Sequence, residues 1–210
     1  FAAYGEKISH ERVLFSKPVA SPLKGLEIAE HADGAAVVVL ANEDAVESLR
    51  KDAIWIEGAS FFTGEPHLDT RDWGRATYAE LSSRQALKMA GISNPTKQIG
   101  YAEVCDMYSY KALQHIEALG LAPAGKSGEL FRHGYFSKEG HIPVNLSGGF
   151  LGIGCMTGAT PLYQLQTLVN ILKNGLPGEA HAGNGRPRRA IINSWRGVPT
   201  SSGATVVLGS

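Results

Sequence analysis

Short apolar runs rich in β-branched residues recur along the chain and predict the strands of a buried sheet. The clearest run, AAVVVL, is continuous and lacks polar alternation, which is typical of a strand covered on both faces. A second run is broken near Gly58, and three more follow. The predicted strands are Ala35–Leu40, Ile54–Phe62, Gly100–Val104, Arg189–Asn193 and Ala204–Leu208.

Between these runs, apolar residues recur at helical spacing. A short helix begins at Asn42, which caps it while acidic residues fill its first turn. Longer amphipathic patterns predict helices over Ala76–Ala90, Tyr108–Leu119 and Leu162–Leu172. In the last of these, the predicted inward positions are Leu162, Leu165, Leu168, Val169 and Leu172.

The order β-α-β-α-β-α-α-β-β predicts an α/β fold, a five-stranded mixed sheet with helices on both faces. Residues 1–33 lack periodicity and are interpreted as an irregular N-terminal arm. Residues 34–210 are interpreted as one domain.

Composition excludes several classes of partner. The 210 residues carry 20 basic and 20 acidic side chains, so net charge gives no reason to expect nucleic acid or an anionic membrane. No apolar run is long enough to cross a bilayer. Two cysteines do not make a disulfide framework, which favours a reducing cytoplasm. The chain starts at Phe1 without a basic leader or an apolar signal core, as expected at a processing or cutting boundary.

Two segments contain the candidate chemistry. The glycine-rich stretch Asn145–Pro161 precedes a helix, and such a loop presents backbone N–H groups that stabilise negative charge. It contains Cys155, and the other cysteine, Cys105, lies in the segment AEVCDMYSY. We therefore expect these two loops to form the reaction centre.

The same segments carry a family resemblance. AEVCDMYSY, a helix ending in GLGLAP, the turn VNLSGG and the run GIGCMTGATP occur in that order. This succession resembles the C-terminal half of a thiolase of the sterol-carrier-protein type, also called the lipid-transfer type. Upstream, SPLKGLEIAEHADGAAVVVLANED is similar to a segment of the same group, so the resemblance extends from about Ser21 to the last residue.

The resemblance implies a thiolase-like half and an acyl-CoA substrate, with no covalently bound cofactor. In this family two such halves stack, and the N-terminal half, absent here, carries the nucleophilic cysteine and much of the coenzyme A contact. That half belongs either to the same polypeptide or to a separate chain. A symmetric dimer is expected, and a small partner with a zinc ribbon and an OB-fold is expected by analogy. The implied thioester-binding residues are Ser147, Gly148, Gly149, Gly154 and Gly158.

The chain departs from the family at the catalytic positions. Cys155 stands where the family has the histidine that activates the nucleophile, and a thiol with a reference pKa of about 8.5 is a poorer base than imidazole at pH 7. Cys105 and Met107 replace the oxyanion-hole histidine and the acid/base cysteine of the sterol-carrier-protein type. The C-terminal loop, Asn193–Gly197, retains neither acid/base cysteine nor histidine.

Tyrosines offer a replacement for the lost acid/base groups. Tyr108 and Tyr110 follow Asp106, and relatives in this superfamily cleave carbon–carbon bonds by a retro-aldol route through tyrosines. The catalytic candidates are thus Cys105, Asp106, Tyr108 and Cys155. Alternatively, both tyrosines simply pack at the start of a helix. In the same way, both cysteines are alternatively interpreted as small, buried and inert thiols.

Other polar residues are interpreted conservatively. His115 lies on an apolar helix face and is expected to be a satisfied core histidine. His67 is interpreted as an ordinary loop residue, with contact to substrate as the alternative. A basic cluster is interpreted either as a binding site for a nucleotide phosphate or as a solvated strand edge; its members are Arg186, Arg188 and Arg189. No Cys-x-x-Cys or His-x-x-x-His spacing supports a metal site.

Three functions fit the sequence, and the first, an enzyme of thiolase type, is the one that the resemblance favours. The first is an acyl-CoA C-acyltransferase completed by an N-terminal half. The second is a retro-aldol lyase acting on an acyl-CoA, and the third is a non-catalytic thiolase-like subunit retained for assembly.

Overall fold

A mixed four-stranded sheet organises the computed structural model, which describes residues 3, 7–49, 53–177, 186–198 and 201–210. Its strands, in chain order, are β3 (Trp55–Thr63), β4 (Tyr101–Val104), β5 (Arg189–Trp195) and β6 (Ser202–Gly209). Their order across the sheet is β3-β6-β5-β4. Strands β4 and β5 run parallel, and β6 pairs antiparallel with both β3 and β5. Outside β4, Val144 forms a single parallel bridge to Ala102.

The remaining elements are helices and one small hairpin. Before the sheet come α1 (His10–Leu14), the hairpin strands β1 (Pro18–Ala20) and β2 (Leu23–Lys24), a 3-10 helix (Gly25–Glu27) and α2 (Glu43–Leu49). The helices between β3 and β5 are α3 (Thr77–Met89), α4 (Pro95–Gln98), α5 (Ser109–Ala118), α6 (Ser127–Arg132), α7 (Gly149–Ile153) and α8 (Ala159–Asn174).

Alternating side chains divide the core between the two faces of the sheet, as the two-residue period of a strand requires. On one face, Ala102, Ile191 and Val207 pack in a cluster with buried residues of α3 and α5. On the other face, Tyr101 and Ile192 pack with the buried leucines of α8. Both faces are therefore covered by helices, and the predicted α/β class is confirmed.

The predicted strand count needs one correction. Residues Ala35–Leu40 belong to no strand of the described sheet, and Val37 and Val39 are 91% and 87% exposed. A β-branched run becomes a strand only where a neighbouring strand satisfies its backbone, and the described part of the chain supplies none. The described sheet therefore has four strands, and the prediction of a fifth strand at this segment is wrong.

The predicted helices are present, and α8 extends beyond both ends of its predicted range. One predicted inward position of α8 differs, because Leu162 is exposed. The buried positions of α8 include the polar residues Thr160 and Gln164, which the apolar pattern did not mark.

Gln164 donates a hydrogen bond to the buried carboxylate of Glu103, which joins three parts of the fold. Glu103 of β4 accepts hydrogen bonds from the Tyr101 hydroxyl, from the Ser147 backbone and hydroxyl (3.1 and 2.7 Å), and from Gln164 Nε2 (2.8 Å). These donors lie on β4, on the turn before α7, and on α8. Burial is the larger effect on Glu103 and raises its pKa to about 7, although the four hydrogen bonds favour the ionised form.

A close approach between β3 and α3 depends on Gly58. A Cβ at this position would lie 2.1 Å from the Ala86 carbonyl oxygen, and helix backbone at that point cannot yield easily. We expect Gly58→Ala to destabilise the complete protein by about 1–3 kcal/mol in urea unfolding. Gly152→Ala is the matched control, since no heavy atom lies within 4 Å of the place that its Cβ would take and the residue is helical. Equal stability of the two variants would contradict this account.

The raised pKa of Glu103 predicts a pH dependence of stability. Between its usual value near 4.5 and about 7, the folded protein holds a proton that the unfolded chain has lost. This contribution is complete below pH 4.5 and is lost as the pH rises through 7. The stability of the wild type minus that of Glu103→Gln should therefore fall by on the order of 1–3 kcal/mol between pH 5 and 8. Chemical denaturation across this range measures it, and a constant difference would refute it.

Candidate functional site

The two cysteine-bearing segments meet at the edge of the sheet where β4 and β5 end. Cys105 follows the last residue of β4, and Trp195 is the last residue of β5. Cys105, Cys155, Tyr108 and Trp195 belong to one apolar cluster, together with Phe150. The structure thus brings together the two loops that the sequence singled out.

Residues 28–32 connect these loops through backbone pairing. Ile28 forms an antiparallel bridge with Tyr108, and the Ala29 amide donates to the Met107 carbonyl at 2.9 Å. A few residues later, the Cys155 amide donates to the Glu30 carbonyl at 2.7 Å. This short segment therefore fixes the separation of the two loops.

Cys105 is fully buried and its thiol lies 4.0 Å from the Trp195 carbonyl oxygen. Burial raises the pKa of this thiol to about 12, and a nearby Asp106 carboxylate acts in the same direction. Cys105 is consequently protonated near neutral pH. Cys155 is only partly buried, so the two thiols differ in accessibility.

Asp106, a predicted catalytic residue, holds the start of α7. Its carboxylate accepts from the Phe150 amide at 2.6 Å, at the N-terminus of that helix. Burial is the largest effect on Asp106 and raises its pKa to about 6, against the effect of this hydrogen bond. Its contacts therefore fix backbone geometry rather than reach toward open space.

The glycines of the turn fit their positions for steric reasons. Gly149 has a φ of +61°, and a Cβ there would lie 2.3 Å from an Asp106 carboxylate oxygen. Gly154 has a φ of +100°, and its Cβ would lie 2.6 Å from that of Ala32. Gly148 is also left-handed, whereas Gly158 has an ordinary φ of −85° and open space around it.

Several polar groups of the glycine-rich loop form hydrogen bonds within the chain. The Ser147 hydroxyl donates to Glu103 and accepts from the Gly149 amide. The Met156 amide donates to the Thr160 hydroxyl at 2.8 Å, in addition to the Cys155 amide bond described above. These donors organise the loop itself, which the sequence alone did not indicate.

Tyr108 belongs to the apolar cluster that contains both thiols. It is half-buried, stacks on Tyr110 with a ring separation of 6.0 Å, and meets Trp195 edge-on at 6.1 Å. Tyr110 is 45% exposed. Tyr108, like Cys155, therefore combines contact with the cluster and partial exposure.

A buried histidine is hydrogen-bonded to the backbone of Cys105. His115 Nδ1 lies 2.6 Å from the Cys105 carbonyl oxygen, and Nε2 lies 2.9 Å from the Tyr78 hydroxyl. Because a carbonyl only accepts, Nδ1 carries the proton and Nε2 accepts from Tyr78. Burial lowers the pKa of His115 to about 3, so the ring is neutral. The sequence identified His115 as a core residue but gave no signal for its partner Tyr78.

Other predicted candidates lie apart from this cluster. His67 is on an exposed loop. Arg189 pairs with Glu57 at 2.6 Å, and Arg186 donates to the Leu172 carbonyl. Arg188 and Arg189 both line a cavity of about 670 Å³ near the beginnings of β4 and β5, at the opposite edge of the sheet.

Within the described ranges, no group of three or more histidine, cysteine or acidic residues is arranged to hold a metal ion. A search of the same residues finds no helix with the length and apolarity needed to cross a membrane.

Sequence comparison identifies relatives over most of the chain. The chain matches the family described as thiolase C-terminal domain-like over residues 60–210. An acetyl-CoA acetyltransferase of Methanothermobacter thermautotrophicus is 32% identical over 169 residues, covering 80% of this chain and 44% of that protein. The benzoylsuccinyl-CoA thiolase subunit BbsB of Thauera aromatica is 31% identical over 179 residues, covering 85% and 46%. Sterol carrier protein 2 of Gallus gallus is 30% identical over 192 residues, covering 89% and 35%.

Structural comparison gives the same fold. A solved structure of an Ltp2-ChsH2(DUF35) aldolase matches with a TM-score of 0.80 and 20% identity, over 99% of this chain and 52% of that one. The chain spans less than half the length of the three curated relatives described above. Since the family match covers most of the chain, the sequence resemblance is confirmed, and the chain belongs to the thiolase superfamily as a C-terminal half.

Proposed function

We propose that this chain is part of a thiolase-type acyltransferase that makes or breaks carbon–carbon bonds in coenzyme A thioesters. The observation that carries the proposal is the junction of the Cys105 and Cys155 loops, which residues 28–32 connect at one edge of the sheet. The names of the Methanothermobacter and Thauera relatives support this class of substrate.

The proposal requires an N-terminal half that carries the nucleophilic cysteine. An exposed apolar run supports a missing neighbour, because Val37, Val39 and Leu40 are all well exposed in a segment with strand-like composition. Burying such a run against another sheet removes apolar area from water, which stabilises the assembly. Whether this half precedes the chain in one polypeptide or is a separate chain does not change the chemistry proposed.

Within this scheme we assign the acid/base thiol to Cys155. It is partly accessible and occupies the position where the family has its activating histidine. Cys105 is a poor candidate, because its raised pKa keeps it neutral and its thiol faces a backbone carbonyl. Asp106, Ser147 and Gly149 then act by fixing the shape of the thioester cavity.

Retro-aldol cleavage of an acyl-CoA is the second candidate function, and the position of Tyr108 favours it. Its phenol is half-buried in the cluster that contains both thiols, where a proton donor or acceptor would be needed. The fold similarity to a solved aldolase is compatible with this function but speaks only to architecture.

We also propose that further chains accompany this one. A Thauera relative is named a subunit, and the name of the structurally similar aldolase includes a second component, ChsH2(DUF35). A homodimer, a small zinc-ribbon and OB-fold partner and a cytoplasmic location complete the proposal.

Removal of each thiol tests the acyltransferase assignment. In the complete enzyme, we expect Cys155→Ala to lower kcat for thiolysis about 10²–10⁴-fold, because it removes an acid/base group. Cys105→Ala should lower kcat by at most about tenfold, since it removes only packing around the site. Initial rates with a 3-ketoacyl-CoA measure both, and mass spectrometry of the stopped reaction detects the acyl-enzyme. Equal losses in the two variants, or the absence of any acyl-enzyme, would argue against the assignment.

Paired tyrosine substitutions test the lyase alternative. If Tyr108 transfers the proton, Tyr108→Phe should lower retro-aldol turnover of a 3-hydroxyacyl-CoA about 10²–10⁴-fold. Tyr110→Phe is the control, because it removes the hydroxyl of the exposed ring stacked on Tyr108 and should change turnover less than about threefold. Unchanged lyase turnover in Tyr108→Phe would exclude this residue as the acid or base.

A further inference from the structure

A buried lysine lies beside the reaction centre. Lys111, near the start of α5, is only 5% exposed. Its ammonium lies 4.7 Å from the ring centre of Trp195, 5.5 Å from that of Tyr110 and 5.8 Å from that of Tyr78. Trp195 and Tyr78 also contact the histidine that supports Cys105. Lys111 therefore places a positive charge against the aromatic wall of the proposed site.

This ammonium has no carboxylate partner among the described residues. Its hydrogen bond is to the neutral amide oxygen of Gln114, at 2.7 Å. The three rings stabilise a cation, but burial without an opposite charge is costly and is usually compensated by a paired anion. Burial lowers the pKa of Lys111 to about 8, as expected for an ammonium that lacks such a partner.

Lys111 also lines a cavity of suitable size for a ligand. The cavity has a volume of about 570 Å³, and both Lys111 and Tyr78, one of the three rings around the ammonium, line it. Trp73 and Arg71 form another side of it. Glu65 and Asp72 line it as well, but the structure gives neither an ion pair with Lys111. A cavity of this volume accommodates a medium-sized acyl group.

We propose that this cavity receives the acyl end of the thioester and that the Lys111 ammonium binds a carboxylate carried by that acyl group. The preferred substrates are then coenzyme A thioesters of dicarboxylic acids, with the free carboxylate at Lys111 and the thioester toward Tyr108 and Cys155. The identification of the acyl group with the cavity rests on the proposed function. The recognition of a carboxylate by Lys111 rests on burial, charge and the cavity alone.

Binding of two small probes tests the site independently of any turnover. Pentanoate and pentanamide have the same length and shape but differ in charge, and Trp195 beneath the ammonium provides a fluorescence signal. The complete enzyme should bind pentanoate at least about tenfold more tightly than pentanamide, because a buried charged hydrogen bond forms only with the acid. Lys111→Met should bring the two affinities to within about threefold of each other, whereas Lys111→Arg should retain a preference for the acid. Lys88→Met, at an exposed position of α3, should behave as the wild type.

Turnover then separates this inference from the proposed function. With thioesters of glutarate and pentanoate as acyl groups, the wild type should favour the former, and Lys111→Met should lose this preference while its thermal midpoint is checked for folding. Equal binding of the two probes by the wild type, or an unchanged preference in Lys111→Met, would overturn the inference. If the enzyme turns over neither thioester while the probe preference depends on Lys111, the proposed function fails and the carboxylate site stands.

Discussion

The buried carboxylate of Glu103 is the interaction on which the geometry of the site depends. It ties the end of β4 to the Ser147 turn and to Gln164 of α8, so three elements from distant parts of the sequence share one acceptor. Four donors to one carboxylate leave little freedom for the turn to move. The position of Gly149 against Asp106, and with it the start of α7, follows from this constraint.

Sequence patterns predicted the elements that depend on local chemistry. The strands from Ile54 onward and the main helices follow from apolar periodicity. Residues Ala35–Leu40 were assigned wrongly because a strand needs a partner, and periodicity contains no information about whether one exists. The family resemblance located Cys105 and Cys155 on neighbouring loops. The capping role of Asp106 and the aromatic surroundings of Lys111 depend on contacts between distant segments, which no local pattern encodes.

Backbone contacts rather than ionised side chains organise the two loops of the candidate site. The glycine turn and the Asp106 cap hold the two loops in place, while burial keeps Cys105 and His115 neutral. Backbone hydrogen bonds fix the loops, whereas acid/base function in any enzyme depends on a few side chains. The polar side chains in or beside the cluster include a partly buried thiol, a half-buried phenol and a buried amine.

Closure of the cluster by a second half, as proposed, would increase the electrostatic differences among these polar side chains. A half that covers the exposed run from Val37 to Leu40 and closes over the cluster removes water from the cavity, and each charge there becomes harder to maintain alone. A neutral phenol or thiol tolerates that closure, whereas the Lys111 ammonium does so best with an anion beside it. Closure would therefore make the electrostatic difference between an acyl group with a carboxylate and one without it larger in the complete enzyme than in this half alone.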